Sequence, residues 1–143
     1  MPAIAADQAC VDKLHGVTAF GATLVKTVAN SGRNLFPGRI VPVGVGVPQQ
    51  AVFCESTGGP VNQPYIGVSK DWQIRTVQVR IRGKPQDESA TLTTALAVKV
   101  ALHRATVTGY TYCLVREPAP GPVFIDANGC PNYFWNVDLG ITE

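Results

Sequence analysis

Hydrophobic and polar positions alternate most cleanly in the middle of the chain. Arg75-Thr76-Val77-Gln78-Val79-Arg80-Ile81-Arg82 has a period of two. Val77, Val79 and Ile81 point to one side, and Thr76, Gln78, Arg80 and Arg82 to the other. Such alternation predicts a strand with one buried and one wet face. Gly83, Lys84 and Pro85 end it. Residues 90–105 contain no Gly or Pro and are dominated by Ala and Leu, which predicts a helix. Asp87 or Ser89 can accept hydrogen bonds from the free amides of its first turn. This strand–turn–helix unit, residues 71–105, is the centre of the predicted fold.

Upstream, Val11, Leu14, Val17, Leu24, Val25 and Val28 recur at helical spacings, predicting helix across residues 7–30 with Asp7 as a cap. Gly16 and Gly21 each weaken it by roughly 1 kcal/mol against Ala, so it is one helix with an irregular middle or two short ones. Gly32 suits a left-handed end. Asn34-Leu35-Phe36-Pro37-Gly38 reads as a turn. Residues 39–47, interrupted by Pro42 and followed by Pro48, read as an extended or edge segment. Residues 50–56 read as a strand. Residues 57–71 form a long loop, and long loops in compact domains are commonly functional. Gly58, Gly59, Pro60 and Tyr65 are therefore candidate partner-contact residues.

Downstream, residues 110–116 read as a strand, 117–122 as a stiff Pro-rich connection and 123–125 as a short apolar piece. Asp126-Ala127-Asn128-Gly129 is a tight-turn signal. Residues 132–139 alternate again, with Tyr133, Trp135, Val137 and Leu139 against Asn132, Phe134, Asn136 and Asp138. This last strand is expected to pair with 110–116 as an antiparallel edge. The order predicts an α+β class, a mostly antiparallel sheet with an N-terminal helix and one central helix packed on it. The 143 residues fit a single domain, 1–143.

Composition refines this. Apolar residues make up 45%, enough for a core, while charged residues are only 15%. Low charge with many Gly and Pro suggests a surface partly covered by partners. A net charge of +2 without a basic run disfavours dedicated nucleic-acid binding. Cys10, Cys54, Cys113 and Cys130 form no closely spaced pair and, with only His15 and His103 beside them, do not make a zinc pattern. They are expected to pack as small hydrophobes in a reduced, cytosolic protein. The N-terminus lacks the pattern of a signal peptide, and no run reaches the length of a membrane span.

No nucleophile–base–orienter set, metal-ligand motif or phosphate loop is visible, so no enzyme and no cofactor are expected. Val43-Gly44-Val45-Gly46-Val47 resembles a phosphate-binding turn only superficially, and capping explains Asp87-Glu88. Arg80, Arg82 and Lys84 make a candidate basic face, either simply solvated or meeting an acidic partner. On the central helix Leu92, Ala95, Leu96, Val98, Val100 and Leu102 occupy well over half the circumference, with Thr93, Thr94 and Arg104 in the remainder. A helix apolar on more than one side is usually buried on more than one side. Either the N-terminal helix and sheet cover it, or Leu92, Leu96, Lys99, Val100 and His103 form a candidate subunit interface.

The order of pieces resembles the tail-terminator and minor-capsid group of tailed bacteriophages. The likeness is carried by Asn34-Leu35-Phe36-Pro37-Gly38, Pro42, the strand through Val52 and Phe53, and Gly58-Gly59-Pro60. It continues through Val77-Gln78-Val79-Arg80-Ile81-Arg82-Gly83, the Ala-rich helix ending near Leu102, Gly109-Tyr110, Asp126 and Gly129, and a last strand with Asn136. After Gly129 the chain has Cys130-Pro131, where that resemblance leads one to expect a basic residue. The resemblance implies a homo-oligomeric, hexameric ring at the head-proximal end of the tail tube. Such a ring stops tube polymerisation, meets a head–tail connector, and lets genomic DNA pass through its lumen without specific binding. It implies a virion protein assembled in the host cytoplasm, with no membrane partner, no cofactor and no catalysis. A head-completion or neck connector is the alternative within this class. A small enzyme or ligand-binding domain using the 57–71 loop is the alternative outside it.

Overall fold

The computed structural model describes residues 5–19, 22–26, 33–38, 50–59, 63–64, 71–121 and 124–142. The expectations for Gly21, Gly32, Pro42 and the 39–49 segment lie outside the described residues, as do Pro60 and Tyr65.

Among the described residues two helices lie against a main, mostly antiparallel sheet, in keeping with the α+β class. The helices are α1 (Ala6–Leu14) and α2 (Glu88–Leu102). The strands are β1 (Thr18–Ala19), β2 (Ala22–Thr23), β3 (Leu35–Pro37), β4 (Ala51–Gly58), β5 (Gln63–Pro64), β6 (Asp71–Arg82), β7 (Tyr112–Val115), β8 (Phe124–Ile125) and β9 (Pro131–Thr142). Among the described residues the main sheet has seven strands in the order β3-β4-β6-β9-β7, with β5 added to β6 and β8 to β9. The β3–β4 pair is parallel and the others are antiparallel.

The helix expected over 7–30 stops at Leu14. Gly16 adopts φ +90°, a left-handed conformation that ends the helix at little steric cost. Its amide then donates to the Leu24 carbonyl, and the Leu24 amide donates to Val17. The apolar period was real, but Val17 and Leu24 reach the core from either side of the β1–β2 hairpin. Leu24 is fully buried there. A second correction concerns residues 34–38, where the expected turn contains β3. Leu35 and Phe36 pair in register with Val52 and Phe53.

β6 and β9 form the spine, matched from Trp72↔Thr142 to Arg82↔Asn132. Their common face carries Val77, Val79, Ile81, Trp135, Val137 and Leu139, all at 0% exposure. Each such aliphatic side chain contributes about 1.5–3 kcal/mol through burial. α1 covers this face with Ala6, Ala9, Cys10 and Leu14, and α2 with Ala95, Val98 and Leu102. Asp87 is the cap of α2, its carboxylate accepting from the Ala90 amide at 3.3 Å. Gly83 permits the close approach of β6 and α2, because a Cβ there would occupy the Thr91 hydroxyl position.

β9 pairs antiparallel with β7 as expected, and β6 takes its other side, so that β7 is the edge strand. That edge is occupied by the segment following α2. The Arg104 amide donates to the Cys113 carbonyl at 2.8 Å, and His103 Nδ1 accepts from the Val115 amide at 3.1 Å. Arg104 takes φ +58° to do so. Beyond β7 the chain stays beside β9. The Glu117 carboxylate accepts from the Asn136 amide at 2.7 Å, where a strand carbonyl would otherwise sit. The Gly121 amide then donates to the Phe134 carbonyl at 2.9 Å.

Candidate functional site

The outer side of α2 is apolar and uncovered. Leu92 is 37% exposed, Leu96 47% and Val100 83%. They succeed one another at every fourth residue, so they form one ridge along the helix. Glu88 precedes Leu92 and Arg104 follows Val100 at the same spacing, and both are exposed. The opposite side faces the core, and it includes Thr91 and Thr94, which are buried. Thr94 thus departs from the polar arc assigned to it. The Thr91 hydroxyl is accommodated by donating to the Asp87 carbonyl at 2.7 Å.

The other two candidate interface residues are engaged within the chain itself. Lys99 folds across the Trp135 ring, its Nζ 5.3 Å from the centroid, and donates to the Pro118 carbonyl at 2.9 Å. His103 holds the β7 edge through Nδ1. The ridge is therefore Leu92, Leu96 and Val100, with Lys99 and His103 beside it as internal supports.

The face of the sheet away from the helices carries the predicted basic residues, and it is not simply wet. Arg80 and Arg82 are half-buried. Their guanidinium carbons lie 4.7 and 5.6 Å from the Phe53 ring centroid. Phe53 in turn stacks on Phe36 at 5.4 Å. Stacked guanidinium groups keep their charge while their planes cover an aromatic ring. Lys84 lies beyond the strand end and is exposed. A concavity of about 260 Å³ opens here, lined by Gly38, Phe53, Glu55, Gln78, Arg80, Phe124 and Phe134. Phe134 occupies the polar phase of the β9 alternation, an aromatic out of step that was the available signal for this hollow. The exposure of Phe124 (45%) and Ile125 (55%) had no such signal.

Further along the same face the surface turns polar. The buried Thr76 hydroxyl donates to Asp138 at 2.8 Å, and Arg116 reaches the same carboxylate at 2.7 Å. Asp138 holds the Arg116 guanidinium above its ordinary value, mainly through this hydrogen bond. Leu114, 39% exposed, stands opposite Asp138 in the β7–β9 register. Thr57, Gly59, Thr76, Arg116 and Asn136 line a depression of about 400 Å³. This places Gly59, one of the predicted loop contacts, on the open face. Gly58 pairs with Thr76 across a bulge at the end of β4. At the far end Gly140 leaves room for the Trp72 and Tyr112 rings, whose centroids are 5.5 Å apart.

The cysteines and His15 are held as follows. All four cysteines are free and buried. Burial raises the thiols of Cys10 and Cys54 and pushes that of Cys113 up to about 11, which suppresses the reactive thiolate. His15 Nδ1 accepts from the Lys26 amide at 3.2 Å, beside a 2.6 Å Lys26–Asp12 ion pair. Among the described residues, no three His, Cys, Asp or Glu side chains are grouped to hold a metal ion, and no helix is long and apolar enough to cross a membrane. The chain matches no protein-family model and no curated protein.

Proposed function

We propose that this chain is a structural assembly protein of a tailed-bacteriophage virion, a tail terminator. It forms a hexameric ring at the head-proximal end of the tail tube, stops tube polymerisation and joins the tail to the head connector. DNA passes through the lumen without being read. The observation that carries the reading is the ridge Leu92–Leu96–Val100, a row of aliphatic side chains left uncovered on a helix whose other side is buried in the core. An exposed apolar row on a small, weakly charged domain is what a subunit contact requires. The resemblance in element order supplies the type of assembly.

Light scattering at high protein concentration and negative-stain microscopy test the assembly. The expected result is a closed ring, and a monomer at all concentrations overturns it. Adding the protein to polymerising tail-tube protein tests the role. Capped tubes of limited length are expected, and unrestricted growth overturns the terminator reading.

A further inference from the structure

We infer that the ring closes by a heterologous contact in which the α2 ridge of one copy lies across the open sheet face of the next. This rests on the ring reading above and adds which two surfaces meet. A ring needs two different patches on each subunit, because a patch that pairs with itself stops at a dimer. Of the six large exposed apolar side chains among the described residues, all but Ile125 fall into two such groups. Leu92, Leu96 and Val100 lie on the outer side of α2. Leu114 and Phe124 lie on the opposite side of the molecule: Cys113 and Val115 point into the core on either side of Leu114, and Phe124 lines the open-face concavity.

Charge sets the direction. Glu88 stands at the start of the ridge, and Arg104 follows just beyond the end of the helix. The open face has the reverse polarity along its strands. Arg80 and Arg82 outnumber Asp126, which acts on Arg82, at one end, while Glu55, Glu117 and Asp138 outnumber Arg116 towards the other. The dimensions agree. The twelve residues of helical rise from Glu88 to Val100 span about 18 Å, and Arg104 lies beyond the helix end. The step from the Arg82 row to the Thr76–Asp138 row is six residues of strand, or about 20 Å. With Glu88 set against Arg82, Leu92 and Leu96 fall over the hollow between Phe53, Phe124 and Phe134. Val100 then reaches Leu114, and Arg104 reaches Asp138.

Cysteine pairing tests this directly, because the native thiols are buried. Val100→Cys and Leu114→Cys chains carrying different tags are co-expressed, purified and mildly oxidised. A disulfide joining the two tags is expected, and neither variant alone should crosslink above a tenth of that yield. Pairing Leu92→Cys with Leu114→Cys should crosslink at least tenfold less. If light scattering shows an oligomer but the Val100→Cys and Leu114→Cys chains do not join, the pairing of surfaces is overturned and the ring reading stands. Self-crosslinking of Val100→Cys as efficient as the mixed pair overturns it in favour of a two-fold contact. A monomer throughout overturns both.

Discussion

Replacing Trp135 by Phe isolates the joint between α2 and the sheet. The indole is fully buried, its Nε1 donates to the Ala95 carbonyl at 2.9 Å, and Lys99 lies over its ring. Phe retains most of the apolar burial and loses three things. The hydrogen bond contributes about 1 kcal/mol net. A residual void of about 40 Å³ costs about 1 kcal/mol. Weakening the ammonium–ring contact removes about 0.5 kcal/mol more. The sum is a loss of about 2.5 kcal/mol. For a chain of 143 residues that lowers the melting temperature by about 8 °C. Urea unfolding followed by circular dichroism measures it, with an unchanged m value confirming that the folded state is otherwise intact. A loss below about 0.5 kcal/mol would refute the argument, since the helix would then not hang on the indole.

Other perturbations probe other parts of the molecule. Arg80→Ser with Arg82→Ser should leave the domain folded but cost about 1–2 kcal/mol through lost ring stacking; complete unfolding would show that more of the fold rests on this face. Gly140→Ala must displace the Trp72 and Tyr112 rings and should destabilise by about 1–3 kcal/mol in the same urea assay. Burial raises Asp126, but hydrogen bonds from the Cys130 amide, the Asn132 side chain and the Asn128 amide outweigh it, leaving its carboxyl below the ordinary 3.8. Its stabilising contribution is therefore complete above that pH and lost as the pH falls below it, so Asp126→Asn should flatten the acid end of the stability profile. The native protein should resist thiol labelling at pH 8 and take up label at Cys10, Cys54, Cys113 and Cys130 only on unfolding; fast native labelling would contradict their burial.

The central unit was legible because local rules and tertiary demands agree there. Val77, Val79 and Ile81 alternate and are buried, and Asp87 caps the helix it precedes. The helix was read too long because a spacing of three, four and seven does not exclude a hairpin once Gly16 lets the chain leave the helix. The pairing of β9 with β7 was legible, but its place beside β6 was not, since alternation tells which face is buried and not which strand lies on the other side. The ridge of α2 was visible as excess apolar surface. That Lys99 and His103 bond within the chain itself was not, because both bonds are to backbone groups of residues 115–118, brought there by the sheet. The wet face was half right: its charges are present, but their planes rest on Phe53, contributed by β4 across the sheet.

The placing of β9 between β6 and β7 bears on synthesis. β6 is made about sixty residues before the strand that completes it, and until residues 131–142 leave the ribosome its inner edge has no partner. α1, β4 and β6 can gather early, but the sheet cannot close around Trp135 while that segment is still in the exit tunnel. A chain released before residue 131 would expose a long strand edge to its neighbours. The step that closes the sheet is thus a long-range one, bringing together strands about sixty residues apart.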